Sequence, residues 1–134
     1  MPDTDFSGRN IVALGGGGFG GMGDDGLDDF VLGLAGVERP AVCFVPTASG
    51  DADHYIVRFY RAFPAGRCEP SHVSLFRRDK GGGIDCDIAA HLLAQDLIYV
   101  GGGSVVSLLG VWRAHGLDEV LRACWQRGTV LCGL

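Results

Sequence analysis

The chain has 134 residues, 47% of them hydrophobic and 20% charged, with a formal net charge of −5. That length suits one domain around one core, residues 1–134. The acidic balance argues against nucleic acid or an anionic membrane as partner, since both demand a basic face that displaces counterions. The longest apolar runs fall far short of the ~18 residues of a membrane span, and Met1-Pro2-Asp3-Thr4-Asp5 is acidic where a signal peptide is basic, so a cytoplasmic protein is expected.

In chain order, Ile11-Val12-Ala13-Leu14 is a continuous apolar run, as expected for a strand buried on both faces, and it ends at Gly15. From Asp24 the period becomes helical. Leu27, Phe30, Val31 and Leu34 share one face, aspartates crowd the start, and Gly36 is the stop. Ala41-Val42-Cys43-Phe44-Val45 is a second buried strand, closed by Pro46. The loop 46–51 leads into a helix with Ile56, Phe59, Tyr60 and Phe63 on one face, ended by Pro64 and Gly66, and Asp51 is read as its cap.

Residues 71–76 alternate enough for a strand near the sheet edge, and the charged, glycine-rich stretch that follows is an exposed loop. Asp85 can cap a helix bearing Ile88, Leu92 and Leu93, after which Leu97-Ile98-Tyr99-Val100 is the next buried strand. Two apolar helical stripes come next. Val105, Leu108, Leu109 and Trp112 run to Gly116, while Leu117, Val120, Leu121 and Cys124 run to Gly128; the last strand is Thr129-Val130-Leu131-Cys132. Short strands alternating with helices imply α/β architecture: an open, mostly parallel sheet with helices on both faces and its site at the carboxyl ends of the strands.

Glycine is the outlier, with 23 residues clustered at 15–23, 81–83 and 101–103. Gly15-Gly16-Gly17-Gly18-Phe19-Gly20 fits the dinucleotide pattern G-x-G-x-x-G, but a run this rich in glycine fits almost any glycine pattern. The second strand also ends in Val45-Pro46-Thr47, without the carboxylate that would hold a ribose. No cofactor is expected. Gly101-Gly102-Gly103-Ser104 is sharper: three glycines at a strand end strip away side chains so that N–H groups can face a developing oxyanion, and Ser104 can cap the helix that starts there. The terminal Cys132-Gly133-Leu134 reads as the approach to a G-x-S-x-G nucleophile elbow, which puts the nucleophile at the next position and leaves the 134 residues without activity of their own. Such a fragment would also carry its last strand at or near an open edge.

The five cysteines (Cys43, Cys68, Cys86, Cys124, Cys132) form no C-x-x-C pair and read as reduced, mostly buried thiols; Cys86 with His91 and His115 lacks zinc-site spacing, so no metal is expected. His54, His72, His91 and His115 read as structural or solvated.

Four stretches together resemble the peptidase E family, aspartyl dipeptidase-like serine peptidases related to cyanophycinase: residues 11–19, residues 44–51, residues 99–104, and Trp112-Arg113-Ala114-His115-Gly116-Leu117-Asp118-Glu119-Val120-Leu121. The resemblance implies a flavodoxin-like sheet akin to the class I glutamine amidotransferase domain. It also implies a Ser-His-Asp/Glu triad whose serine follows Leu134, and removal of N-terminal aspartate from short peptides. By position, Gly103 is similar to the family glycine whose backbone N–H supplies half of the oxyanion hole, with Gly102 and Ser104 beside it; Ser104 stands where many members have asparagine. Gly16, Gly17 and Gly18 correspond to the cleft wall. A small peptide is the implied partner, with a homodimer left open. The rival readings are a glutamine amidotransferase-like enzyme with a cysteine nucleophile and a non-catalytic nucleotide-binding module.

Overall fold

A computed structural model describes residues 8–15, 19, 26–76 and 88–134. Its five strands, β1 (Ile11–Ala13), β2 (Ala41–Val45), β3 (Glu69–His72), β4 (Leu97–Val100) and β5 (Val130–Gly133), form one sheet in the order β1-β5-β4-β2-β3. Every pairing is parallel. The helices are α1 (Gly26–Leu34), α2 (Asp53–Ala62), α3 (Ile88–Leu93), α4 (Val105–His115) and α5 (Leu117–Gln126), and a 3₁₀ turn spans Thr47–Ser49.

Handedness decides which helices cover which face. Going from β1 to β2 to β3 the chain moves one way across the sheet, so right-handed crossovers put α1 and α2 on one face; the return through β4 to β5 puts α3, α4 and α5 on the other. Side chains sort accordingly. Val42, Phe44, Leu97, Tyr99, Val130 and Cys132 meet Val31 and Leu32 of α1 and Phe59 of α2, whereas Cys43, Val45 and Ile98 meet Leu92 of α3 and Leu117, Leu121 and Cys124 of α5. Both faces of β2 and β4 are therefore covered, which is why their sequences are unbroken apolar runs.

Several expectations shift. β1 is an edge strand with Ile11 66% exposed, not a strand buried on both faces, because β5 pairs with one side of it and no described helix lies over its second face. There an open apolar groove of ≈ 730 Å³ is lined by Ile11, Ala13, Leu109, Trp112, Leu121 and Trp125. β5 itself is paired on both sides, one place in from that edge. In α1 the buried residues are Asp28, Val31 and Leu32, while Phe30 is 56% exposed, so the helix is rolled from its expected stripe toward Leu32.

β3 covers residues 69–72 rather than 71–76. It pairs only with β2, so Pro70 removes no ladder bond from a second neighbour. Beyond Val73, whose N–H still reaches the Phe44 carbonyl at 3.0 Å, the backbone amides turn to a side chain described below. Asp85, the expected cap of α3, lies outside the described residues. Among the described residues no helix is long and apolar enough to cross a membrane.

Candidate active site

β2 and β4 are neighbours in the sheet, yet the chain leaves β2 toward one face and β4 toward the other. Such a divergence leaves a crevice at the carboxyl ends of the two strands. Here it is filled by two loops, residues 46–51 after β2 and residues 101–104 after β4.

Each loop dictates the residue types of its partner. Gly101 donates to the Val45 carbonyl at 3.1 Å, and a Cβ there would stand 2.9 Å from the Phe44 ring. Gly103 has φ +146°, and a Cβ on it would stand 2.3 Å from the Ala48 carbonyl oxygen, an overlap with backbone that no rotamer relieves. Ser104 then donates its N–H to the same Ala48 oxygen at 2.8 Å. Its hydroxyl accepts from Ser107 N–H at 3.2 Å, so Ser104 caps α4 as its sequence position suggests.

Among the described residues, neither Gly102 nor Gly103 donates its N–H to an acceptor. Both amides sit at the start of α4, where the helix dipole is positive, and the exposed Gly103 faces water. The tip of β5 lies alongside. Val100 pairs with Gly133, Leu134 N–H donates to the Val100 carbonyl at 3.2 Å, and a Cβ on Gly102 would be 3.4 Å from that of Leu134. The triple-glycine bend and the end of the last strand are thus brought together. Free amides at a helix start beside a strand tip can hold an anion formed at that tip.

Gly16, Gly17 and Gly18 lie outside the described residues. Phe19, just after them, is an anchor that sequence reasoning missed. Its ring packs edge-on to Phe44 at 5.2 Å and to Tyr99 at 4.9 Å, and its only sequence signal was a lone aromatic in a glycine run.

The loop 46–51 also departs from expectation. Asp51 does not cap α2: the capping position is Ala52, without a side-chain cap, and Ser49 Oγ accepts from Ala52 N–H at 3.3 Å. Asp51 is 1% exposed and its Oδ2 accepts from Leu75 N–H at 2.8 Å and Phe76 N–H at 2.7 Å. On the other flank Trp112 of α4 donates its ring N–H to the buried Thr47 hydroxyl at 3.0 Å.

Two histidines find partners. His72 Nδ1 lies 2.7 Å from the Tyr60 hydroxyl, and His91 Nε2 lies 3.0 Å from Ser71 Oγ; burial lowers the pKa of both rings. Ser71 also has the Val42 carbonyl as acceptor at 3.3 Å, within the sheet and away from the glycine bend. His54 and His115 are exposed. Burial pushes the Cys43 thiol up to about 12 and also raises that of Cys132, so neither is a ready nucleophile at neutral pH. At pH 8, Cys43 in the folded protein is expected to resist a disulfide reagent such as DTNB and to react once urea unfolds the chain. Rapid modification before unfolding would contradict its burial.

These features define an open, doubly wound α/β fold with a glycine-walled crevice at the carboxyl edge of its sheet. The chain belongs to peptidase family S51, whose sequence model matches residues 11–134. It is 43% identical over 127 residues to the uncharacterised peptidase YgaJ of Bacillus subtilis (strain 168), an alignment covering 94% of this chain and 53% of that protein. Among solved structures it is similar to a Listeria monocytogenes EGD-e protein provisionally described as a peptidase E, with TM-score 0.66, 20% identity, and coverage of 93% of this chain and 57% of the other. A peptidase from an acI-B1 Actinobacterium matches with TM-score 0.66 and 19% identity over 93% of this chain and 53% of that one. The chain spans about half the length of these relatives.

Proposed function

We propose that the intact protein is a serine peptidase acting on short peptides, dipeptides with N-terminal aspartate foremost, and that residues 8–134 supply its sheet and oxyanion amide. The nucleophilic serine follows Leu134 in a strand-to-helix elbow, and the histidine and acid of the triad come from the sequence beyond. Histidine takes the serine proton, the serine oxygen attacks the peptide carbonyl, and the resulting oxyanion is held by the Gly103 N–H. Histidine gives that proton to the leaving nitrogen as collapse expels the amine, and water, deprotonated in turn by the histidine, then attacks the acyl-serine and releases the acid with the serine hydroxyl restored. The observation carrying this reading is the Gly103 amide, which donates to no acceptor among the described residues, in a bend whose Gly102 lies against Leu134 at the tip of β5.

A fluorophosphonate probe on the full-length protein tests it. Covalent labelling of a serine, together with hydrolysis of an Asp-containing dipeptide, is expected; the 134-residue chain alone should show neither. Labelling of a cysteine by a glutamine-derived electrophile in place of serine would overturn the assignment.

A further inference from the structure

We infer that Asp51 is a positioning residue for the oxyanion amide: its carboxylate locks the loop 46–51, and that loop sets the orientation of the Gly103 peptide through the Ala48 carbonyl. The inference rests on the reading of Gly103 as the oxyanion donor.

Among the described residues Asp51 is the one non-glycine residue with φ in the left-handed region, at +57°. A strained, 1% exposed carboxylate persists only where its surroundings over-determine it, and here they do. Its own N–H donates to the Pro46 carbonyl at 3.0 Å, closing the loop on itself. Its Oδ2 takes the N–H groups of Leu75 and Phe76 at 2.8 and 2.7 Å, binding the loop to the chain that leaves β3. Oδ1 is buried with no hydrogen-bond partner among the described residues, so the burial of this group is not explained by satisfying every polar atom.

What the clamp holds steady is the wall against which the glycine bend is pressed. Gly103 fits only because nothing projects toward the Ala48 carbonyl, and Ser104 N–H bonds to that same oxygen at 2.8 Å. Trp112 N–H on Thr47 anchors the loop from the α4 side, and Asp51 anchors it from the β3 side. If the β3 anchor is released, the Ala48 carbonyl moves and the Gly103 amide turns with it. An oxyanion donor displaced by a fraction of an ångström stabilises the transition state less while leaving ground-state binding nearly intact.

The test compares Asp51→Gly, Asp51→Ala and Asp51→Asn in the full-length protein, by steady-state hydrolysis of an Asp-containing dipeptide and by the rate of serine phosphonylation, at a temperature where each variant is folded by circular dichroism. Asp51→Gly removes the backbone strain and the clamp together, so a strain-only role predicts a gain and a clamp predicts a loss. The expected loss is roughly 30- to 100-fold in kcat and in phosphonylation rate, with KM within about 3-fold, by analogy with loss of one oxyanion donor. Asp51→Asn can accept from the same two amides and tolerates positive φ, so it is expected to restore the rate to within about 5-fold. Asp51→Gly or Asp51→Ala at wild-type rates in a protein whose serine is labelled would overturn the clamp and leave the peptidase reading standing. Asp51→Asn losing as much as Asp51→Gly would overturn it too. A wild-type protein that is neither labelled nor active overturns both.

Discussion

Gly103→Val in the full-length protein is expected to reduce kcat/KM for peptide hydrolysis by about 100-fold or more, the scale of removing one oxyanion-hole donor. A Cβ at this position would stand 2.3 Å from the Ala48 oxygen and 2.5 Å from its carbonyl carbon, and φ is +146°, so a β-branched residue can be accommodated only by moving the backbone. The moving unit is the peptide whose N–H is proposed to hold the oxyanion. Gly110→Ala is the control. It lies within α4 with nothing within 4 Å of the added Cβ, so it is expected to raise stability by ~0.5–1 kcal/mol through helix propensity and leave turnover alone. Wild-type turnover by a folded Gly103→Val protein would remove Gly103 from the mechanism.

The second large effect is Phe44→Ala, which should destabilise the protein by about 3–5 kcal/mol, a substantial part of the 5–15 kcal/mol typical of a whole domain. Phe44 is 0% exposed. Its ring stacks on Phe59 with centroids 5.0 Å apart and meets Phe19 edge-on at 5.2 Å and Tyr99 at 6.3 Å. Truncation removes the common partner of three rings from a packed sheet face. The same ring abuts Gly101, where an added Cβ would lie 2.9 Å away, so the loss should loosen the bend as well as the core. Urea unfolding measures the first effect and serine phosphonylation in the native range the second. A change under about 1 kcal/mol would mean that the aromatic cluster contributes far less than its burial implies.

The runs at residues 42–45 and 97–100 were legible as buried strands because β2 and β4 lie at the middle of a parallel sheet and need apolar side chains on both faces. Ser104 was legible as a cap because one hydroxyl at a helix start satisfies a local amide, and local hydrogen bonds follow sequence spacing. The glycine triplet was legible as a place of close approach, though what approaches it was not. Ala48 is 55 positions before Gly103 in the chain, and only the β2–β4 pairing makes them neighbours.

Asp51 shows the limit from the other side. A short polar side chain just before a helix reads as its cap, but long-range amides at residues 75 and 76 compete for the same carboxylate and win. Phe30 and Leu32 are equally apolar to a periodicity count; which one is buried depends on how α1 rolls against the sheet. Ile11 is exposed because β1 falls at the edge, a matter of strand order. The amino-acid sequence by itself determined the alternation of strands and helices and the location of the glycine bend, since these depend on interactions within a few residues. Tertiary structure alone decided which faces are covered, which carboxylate clamps which loop, and that the bend meets the tip of β5, because those depend on contacts between segments far apart in the chain.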